Sequence, residues 1–285
     1  MSAAQLPVAE WNAQTANALT RENYAFLQAY IQNESGIVLD DGKQYLIESR
    51  LLPILREKNV LSLDALCQRL AENRSSPLAK RVIEAMTTNE TLFFRDPTMF
   101  DALRAHVLPA LFDAVKGGRK VRIWSAAAST GQEAYSLAML LLEMGKGAEQ
   151  VEIIGTDLSE QVLERARLGR FIQFEVSRGL PSQYLMKYFD RAGLDWQLKE
   201  CVRKMVRFHP LDLRRSLKTV QRCDLVLCRN VLIYFNTETK KQVLAAIKEV
   251  LAPGGVLVLG CAETVINLDR GFKRAVVGQS TFYSI

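Results

Sequence analysis

The chain has 285 residues, 48% hydrophobic and 24% charged, with a net charge of +6, and reads as a soluble globular protein of one large or two ordinary domains. No apolar run approaches the ~20 residues of a membrane span, and Met1 to Thr20 has no basic stretch followed by an apolar block, so the cytoplasm is expected and direct membrane insertion is not. The five cysteines (Cys67, Cys201, Cys223, Cys228 and Cys261) are never spaced C-x-x-C and read as reduced and buried, while the two histidines, His106 and His209, give no material for a metal centre or a Ser/His/Asp triad.

In chain order, residues 1–20 read as a loosely ordered segment. Residues 21–83 show helical repeats without strand alternation: Tyr24, Leu27, Ile31; then Tyr45, Leu46, Arg50, Leu51, Ile54; then Leu63, Leu66, Leu70. Turn chemistry at Ser35–Gly36, Asp40 to Gly42, Asn59 to Ser62 and Asn73 to Pro77 separates them, which predicts a small all-helical domain. The helix near Lys43 to Lys58 places Lys43, Arg50 and Arg56 near one face, with Pro53 expected to disturb it midway. Nine basic and nine acidic side chains balance within residues 1–83, whereas residues 161–223 hold fourteen basic against six acidic. That excess suggests an anionic partner, and since no aromatic-interleaved motif accompanies it, nucleic acid is not expected.

Residues 84–96 read as a linker and residues 97–285 as an α/β domain. Val121 to Trp124 is a short apolar strand, followed by Ser125, Ala126, Ala127, Ala128, Ser129, Thr130 and Gly131, a turn with so little bulk that a ligand can touch its backbone. From Gln132 the residues Glu133, Leu137, Ala138, Leu141 and Leu142 recur at helical spacing, and the N-terminus of that helix favours a carboxylate or phosphate. Val151 to Gly155 is the next strand and delivers Asp157 twenty-six residues after Gly131, about where a ribose-binding acid sits in nucleotide-binding α/β units. Residues 178–204 break the alternation as an inserted helical or hairpin segment. Strands follow at Val206 to Leu213, Asp224 to Cys228 and Gly255 to Leu259, with a helix over Thr237 to Leu251 stopped by Pro253, Gly254 and Gly255. Phe272 to Val277 and Thr281 to Ile285 read as an antiparallel edge pair. Five or more parallel strands are implied.

A pyrophosphate binder wants G-x-G-x-x-G, and this turn has only Gly131. A cofactor with ribose and adenine but no phosphate, whose charged end is an amino acid, fits better, and S-adenosylmethionine is the candidate. The competing reading is an α/β unit whose small residues only let helix and strand pack.

Four strings in order, TTNETLFFR (87–95), WSAAASTGQEAYSLAM (124–139), GTDLS (155–159) and CRNVLIYF (228–235), resemble the chemotaxis-receptor glutamate methyltransferases of the CheR type, from about Arg21 to Ile285. The resemblance implies a Rossmann-like S-adenosylmethionine methyltransferase domain with a mostly parallel sheet and a small insertion, preceded by a small all-helical domain that docks the receptor. It implies methyl transfer to glutamate carboxylates on chemoreceptor cytoplasmic helices, S-adenosylhomocysteine as product, and a monomer. By the same resemblance, Asn89, Thr91 and Arg95 contact the cofactor, and Arg95 also holds the substrate carboxylate. Glu133 meets the methionine amino group, Asp157 the ribose, and Asp212 the adenine, while Ala126, Gly131, Leu213, Asn230 and Val231 complete the cofactor set. Tyr234 orients the substrate, and Lys43, Arg50 and Arg56 dock the receptor.

This chain departs from the family pattern at Gln132, where a second glutamate is common, at Ala134, where a proline is common, and at Asp212, where an asparagine is common. Pro53 takes one arginine position of the basic helix. Phe189 to Phe208 looks shorter than in members whose inserted subdomain grips a receptor pentapeptide, so no such tether is expected. A methyltransferase acting on another substrate, and a non-catalytic S-adenosylmethionine-sensing scaffold, remain as alternatives.

Overall fold

In the computed structural model, residues 19–115 and 118–285 are described, and the chain divides into two units, Met1–Thr88 and Asn89–Ile285. The expected loosely ordered segment lies outside the described residues apart from Leu19 and Thr20. Among the described residues no helix is long and apolar enough to cross a membrane.

The first unit has four helices, α1 (Arg21–Ser35), α2 (Gln44–Glu57), α3 (Leu63–Glu72) and α4 (Pro77–Met86). Their starts follow local chemistry. Thr20, Ser62 and Ser76 each accept a backbone N–H from three residues on, at 3.1 Å, and Pro77 fills the first position of α4, where no donor is needed. Gly36 ends α1 with φ +78°, the left-handed conformation that a helix stop favours. Leu27, Ile31, Ile47, Leu51, Leu63, Leu66, Leu70 and Val82 are buried at helical spacing, each contributing about 1.5–3 kcal/mol by leaving water. Two expectations need correction. Helix α2 runs unbroken through Pro53 because Pro53 and Ser49, whose carbonyl loses its bond, are both exposed to water. Helix α4 also continues three residues past the expected end of the helical domain.

The second unit opens with Asn89 to Asp96, then α5 (Pro97–Ala102), a π-helical turn (Leu103–Val107) and α6 (Leu108–Ala114). Its alternating portion is β1 (Val121–Ala126), α7 (Gln132–Glu143), β2 (Val151–Asp157) and α8 (Glu160–Leu168). Next come β3 (Arg170–Phe171), α9 (Gln173–Val176), α10 (Ser182–Tyr188), β4 (Phe189–Ala192), β5 (Asp195–Leu198), α11 (Glu200–Arg203) and β6 (Val206–Pro210). The chain closes with β7 (Cys223–Cys228), a 3-10 turn (Leu232–Tyr234), α12 (Thr237–Val250), β8 (Leu251–Leu259), β9 (Lys273–Val277) and β10 (Ser280–Ser284).

Seven strands form one sheet in the order β6-β2-β1-β7-β8-β10-β9; the first five are parallel and β10 is antiparallel to both neighbours. This is the expected mostly parallel sheet with an antiparallel edge pair. Alternate residues of each central strand serve opposite faces. Ile123, Leu225 and Leu227 join one apolar cluster, while Trp124, Val226 and Cys228 join the other with Leu244 and Ile247 of α12. A parallel sheet covered on both faces reads in sequence as a continuous apolar run, which is why its strands were visible. The insertion begins earlier than expected, at Arg170, because β3 pairs with β5 to make a separate antiparallel sheet, β3-β5-β4. Pro253 and Gly254, read as stops after a helix, lie within β8, whose pairing with β7 shifts register between Cys223 and Leu225. The cysteine expectation also needs correction: Cys67, Cys223 and Cys228 are buried, but Cys201, in the short helix α11, and Cys261, in the turn after β8, are exposed, since neighbours in sequence do not fix burial in a short surface segment.

Candidate active site

The strand order reverses between β1 and β7: β1 continues to β2 on one side, and the later strands run off on the other. A crevice outside the carboxyl ends of the strands is expected at such a switch point, and ligands of open α/β sheets bind there. The segments leaving β1, β2 and β7 all lie at this edge, and those leaving β1 and β7 are conformationally costly, as is Asn89 to Asp96. Ala127, Ser129 and Asn230 have φ of +59°, +51° and +58°, and Phe94 and Asp96 have +49° and +63°. Five of the seven positive-φ non-glycine residues among the described residues thus fall in three segments. Strain of about 1–3 kcal/mol each persists where the surroundings over-determine it, which points to a site.

Gly131, with φ +93°, leads into α7, and a Cβ there would come within 3.0 Å of the Phe208 and Tyr135 rings. Its glycine is required by the turn and by packing, not by a phosphate. At the end of β2, Asp157 is buried; its Oδ2 accepts the Ser129 N–H at 2.9 Å and its Oδ1 the Ser159 N–H at 3.0 Å. Burial pushes its carboxyl above the ordinary aspartate range, against the opposing pull of the Ser159, Ser129 and Leu158 N–H groups. Among the described residues no cation pairs with it. Each oxygen retains a lone pair for a further donor. The Leu211 N–H donates to the Asp157 carbonyl at 2.9 Å, which brings Asp212 and Leu213 alongside.

Glu133, in the first turn of α7, accepts the Ser125 hydroxyl at 2.8 Å on Oε1 and Nη1 of Arg229 at 2.7 Å on Oε2. Arg229 directly follows β7, and its side chain is only 2% exposed. Its Nη2 donates to the Arg95 carbonyl at 2.9 Å and to the Asp96 carboxylate. One buried guanidinium therefore joins the helix after β1, the loop after β7 and the Asn89 to Asp96 segment. Sequence reasoning missed it, although it stands beside Asn230 in the CRN string.

Asn230 and Tyr234 are held by a second residue that the sequence did not single out. Glu263 accepts the N–H groups of Asn230 at 2.7 Å, Gly260 at 2.8 Å, Val231 at 3.0 Å and Ile233 at 3.2 Å. Its carboxylate organises the whole 3-10 turn that carries the half-buried Tyr234. Nothing in its sequence surroundings marks it, because three of its four partners, Asn230, Val231 and Ile233, lie thirty or more positions away.

Asn89 to Asp96 is fixed at three points beyond Arg229's grip. The Ser129 hydroxyl donates to the Asn89 carbonyl at 2.8 Å, and the Phe94 N–H donates to the Ser136 hydroxyl at 2.9 Å. Phe93 is fully buried, edge-on to Phe171 and Phe189 with ring centroids 5.0 and 5.7 Å away. Gly179, with φ +81°, passes so close that a Cβ would strike the Phe93 carbonyl oxygen. Gly179→Ala should therefore destabilise the fold by about 1–3 kcal/mol and depress activity by displacing Arg95. Thermal unfolding and initial rates check this, and a parent-like variant would show that Gly179 does not constrain the segment.

The chain matches the family described as CheR methyltransferase, SAM binding domain, over residues 89–280, and the CheR methyltransferase all-alpha domain over residues 22–87. It belongs to the CheR methyltransferase family. The CheR chain is 41% identical over 267 residues to chemotaxis protein methyltransferase 1 of Pseudomonas aeruginosa, covering 92% of this chain and 97% of that one. It is 38% identical to chemotaxis protein methyltransferase Cher2 of Pseudomonas putida, covering 90% and 95%. It is also 36% identical to the chemotaxis protein methyltransferase of Vibrio parahaemolyticus, covering 95% and 99%. The second unit is thus the S-adenosylmethionine-binding domain of a protein-glutamate O-methyltransferase class.

The chemistry at the switch point of this CheR domain fits that cofactor. A buried carboxylate with no cation, Asp157, is costly unless polar donors complete it, and ribose hydroxyls are such donors. Glu133 spends one lone pair per oxygen on Ser125 and Arg229 and keeps others for an ammonium group. Asp212 meets a competitor: Arg214 donates to Oδ1 from Nε at 3.0 Å and to Oδ2 from Nη2 at 2.7 Å, so an adenine amino group would share an occupied carboxylate. Gln132, where the family commonly has glutamate, is buried and accepts the Thr130 hydroxyl at 2.7 Å. The basic residues expected to dock a partner lie in the helical unit. Arg50 donates to the Met86 carbonyl at 2.8 Å and the Thr87 carbonyl at 3.1 Å, closing the end of α4, while Lys43 pairs with Asp40 at 2.8 Å and Arg56 is exposed. Arg50 therefore has a structural task, and the three do not present a single free face.

Proposed function

We propose that this protein transfers the methyl group of S-adenosylmethionine to glutamate side-chain carboxylates on chemoreceptor cytoplasmic helices, giving glutamyl methyl esters and S-adenosylhomocysteine. The observation that carries the reading is the convergence of Asp157, Glu133 and Asn230 at the sheet's reversal point, with the segment bearing Arg95 bonded beside them. Names of relatives that cover most of both chains support it. S-adenosylmethionine supplies an activated methyl group. A glutamate carboxylate, with a reference pKa of about 4.3, is ionised at neutral pH and needs no general base. What remains for the chain is alignment, and positioning alone can contribute ~7–11 kcal/mol. Arg95, whose guanidinium pairs with no carboxylate among the described residues, holds the acceptor, and Tyr234 orients it. Asn89, Thr91, Ala126, Gly131, Glu133, Asp157, Asp212, Leu213, Asn230 and Val231 form the cofactor cradle. Lys43 and Arg56, with what Arg50 leaves free, meet the receptor.

The protein acts in the cytoplasm as a monomer, independent of a receptor pentapeptide. The smallness of the inserted sheet, whose β3 has two residues and whose β4 and β5 have four each, supports that independence.

Transfer of labelled methyl to a receptor cytoplasmic fragment, followed by release of methanol in mild alkali, tests the reading. Base-labile label that disappears when the target glutamates become alanine is expected. Label that resists alkali would move the enzyme to another acceptor chemistry, and cofactor binding without label on any of a panel of receptors would favour the sensing scaffold. Asp157→Ala should weaken S-adenosylmethionine binding about 100-fold, the equivalent of roughly 3 kcal/mol, since it removes an acceptor and strands two N–H groups. Unchanged affinity by calorimetry would reject the ribose assignment.

A further inference from the structure

On the side of β7 away from Asp157, the carboxyl end of β8 and the start of β10 frame a cleft of about 340 Å³. It shares Asp96 and Arg229 with the site described above, and also the Gly260 to Glu263 turn that seats Asn230. No residue of the cofactor cradle needs this space, because the crevice between β1 and β7 and the end of β2 lie on the other side of Asn230. The cleft is therefore on the acceptor's side of the site. Its volume suits a side chain with its immediate neighbours rather than a whole helix.

The charges around the cleft are unequal in freedom. The Arg229 guanidinium is shared between two carboxylates, Glu133 and Asp96, so it has no charge to spare for a third. The Glu263 carboxylate is saturated by four backbone N–H groups. Arg274, on the edge strand β9, is exposed, and among the described residues its side chain makes one hydrogen bond, a long 3.4 Å contact from Nη2 to the Thr281 hydroxyl. Among the described residues no carboxylate pairs with it. Thr98 and Gln279 add neutral polar groups to the rim. A lining whose one cation without a carboxylate partner is a guanidinium, flanked by hydroxyl and amide groups, offers a carboxylate a charged partner.

We propose that this cleft is a second acceptor-side subsite, in which Arg274 pairs with a carboxylate about one helical turn from the methylated glutamate and so selects acidic helices as substrates. The inference rests on the proposed function above. On a helix, positions three or four apart lie roughly 5–6 Å from each other on one face, so an acidic neighbour can enter the cleft while the acceptor meets Arg95. No residue assigned to the cofactor cradle lines the cleft with Arg274. Arg274 acts on substrate affinity, not on the chemical step.

The test measures initial rates against concentration of a receptor cytoplasmic fragment with the full chain. Arg274→Glu should raise KM about tenfold and Arg274→Ala about threefold, with a much smaller change in kcat, while Arg274→Lys stays near the parent. Affinity for S-adenosylmethionine, read by calorimetry, should be the same in all four proteins, which also establishes that each is folded. A fragment in which the acidic residues flanking the acceptor are changed to glutamine should erase the difference between the parent and Arg274→Ala. A KM unmoved by Arg274→Glu, or an Arg274→Ala effect that persists on the neutralised fragment, overturns the subsite alone. A parent enzyme that methylates no receptor fragment overturns the proposed function and the subsite with it.

Discussion

Arg229→Met should lower the stability of this protein by about 3–5 kcal/mol, because it removes the one cation from a buried cluster and leaves Glu133 and Asp96 facing each other without it. The side chain is of similar length, so the loss is electrostatic and not a cavity. A wider loss follows for function. The Arg95 carbonyl is released, and Glu133 loses the partner that holds its Oε2. Turnover should fall by more than 100-fold even in protein shown to be folded, and S-adenosylmethionine affinity should weaken with it. Arg229→Lys, which keeps the charge but not the forked geometry, should recover most of the stability and only part of the turnover. Urea unfolding beside initial rates separates the two quantities. A Met variant of parental stability would mean that the cluster is solvated or compensated and that Arg229 does not tie the segments together.

Glu263→Ala should have an effect of similar size by a different route. Four backbone donors lose their shared acceptor, and at least those of Asn230 and Gly260 lie in an enclosed corner where a Cβ on Gly260 would come within 2.7 Å of the Asn230 side chain. Each stranded donor costs about 1–3 kcal/mol, less where water reaches it, so a total of roughly 3–4 kcal/mol is expected. With Asn230 at φ +58° no longer enforced, the turn should relax toward ordinary backbone angles and carry Asn230 and Tyr234 out of place. Glu263→Gln keeps one acceptor oxygen and should fall about midway in stability. If Glu263→Ala binds cofactor and turns over like the parent, the strained turn is self-supporting and the carboxylate is incidental.

The fold was legible where one physical signal dominates. Val121 to Ala126 and Cys223 to Cys228 are mostly apolar runs, broken by Arg122, Ser125 and Asp224, because both faces of their sheet are covered, and α1, α3 and α4 of the first unit show their buried stripe together with Ser or Thr caps. Errors arose where two signals compete. Pro53 opposes a helix that α2 forms anyway, since the side of the helix that loses its bond is wet. Pro253 and Gly254 read as a stop, yet an edge of irregular pairing accommodates both in β8. Within the site, Asp157, Glu133 and Asn230 follow strand ends or open helices, so position along an element exposed them. Arg229 also follows a strand end, yet nothing there marks its partner, because it acts on Glu133 from ninety-six positions away; Glu263 acts on Asn230 from thirty-three. Only the folded chain brings these charges to their partners.

The pairing of β1 with β7 joins residues 123 and 225, about a hundred positions apart in the chain. Closing such a span demands entropy before any contact returns it, which makes central parallel pairing a slow step. On a ribosome, β1, α7 and β2 emerge and can dock together long before Arg229 and Asn230 exist as polypeptide. The half of the cradle that holds Asp157 therefore waits, open on its β7 side, until the chain has been made past Cys228, the end of β7. Cofactor can consolidate the domain only after translation has passed that point.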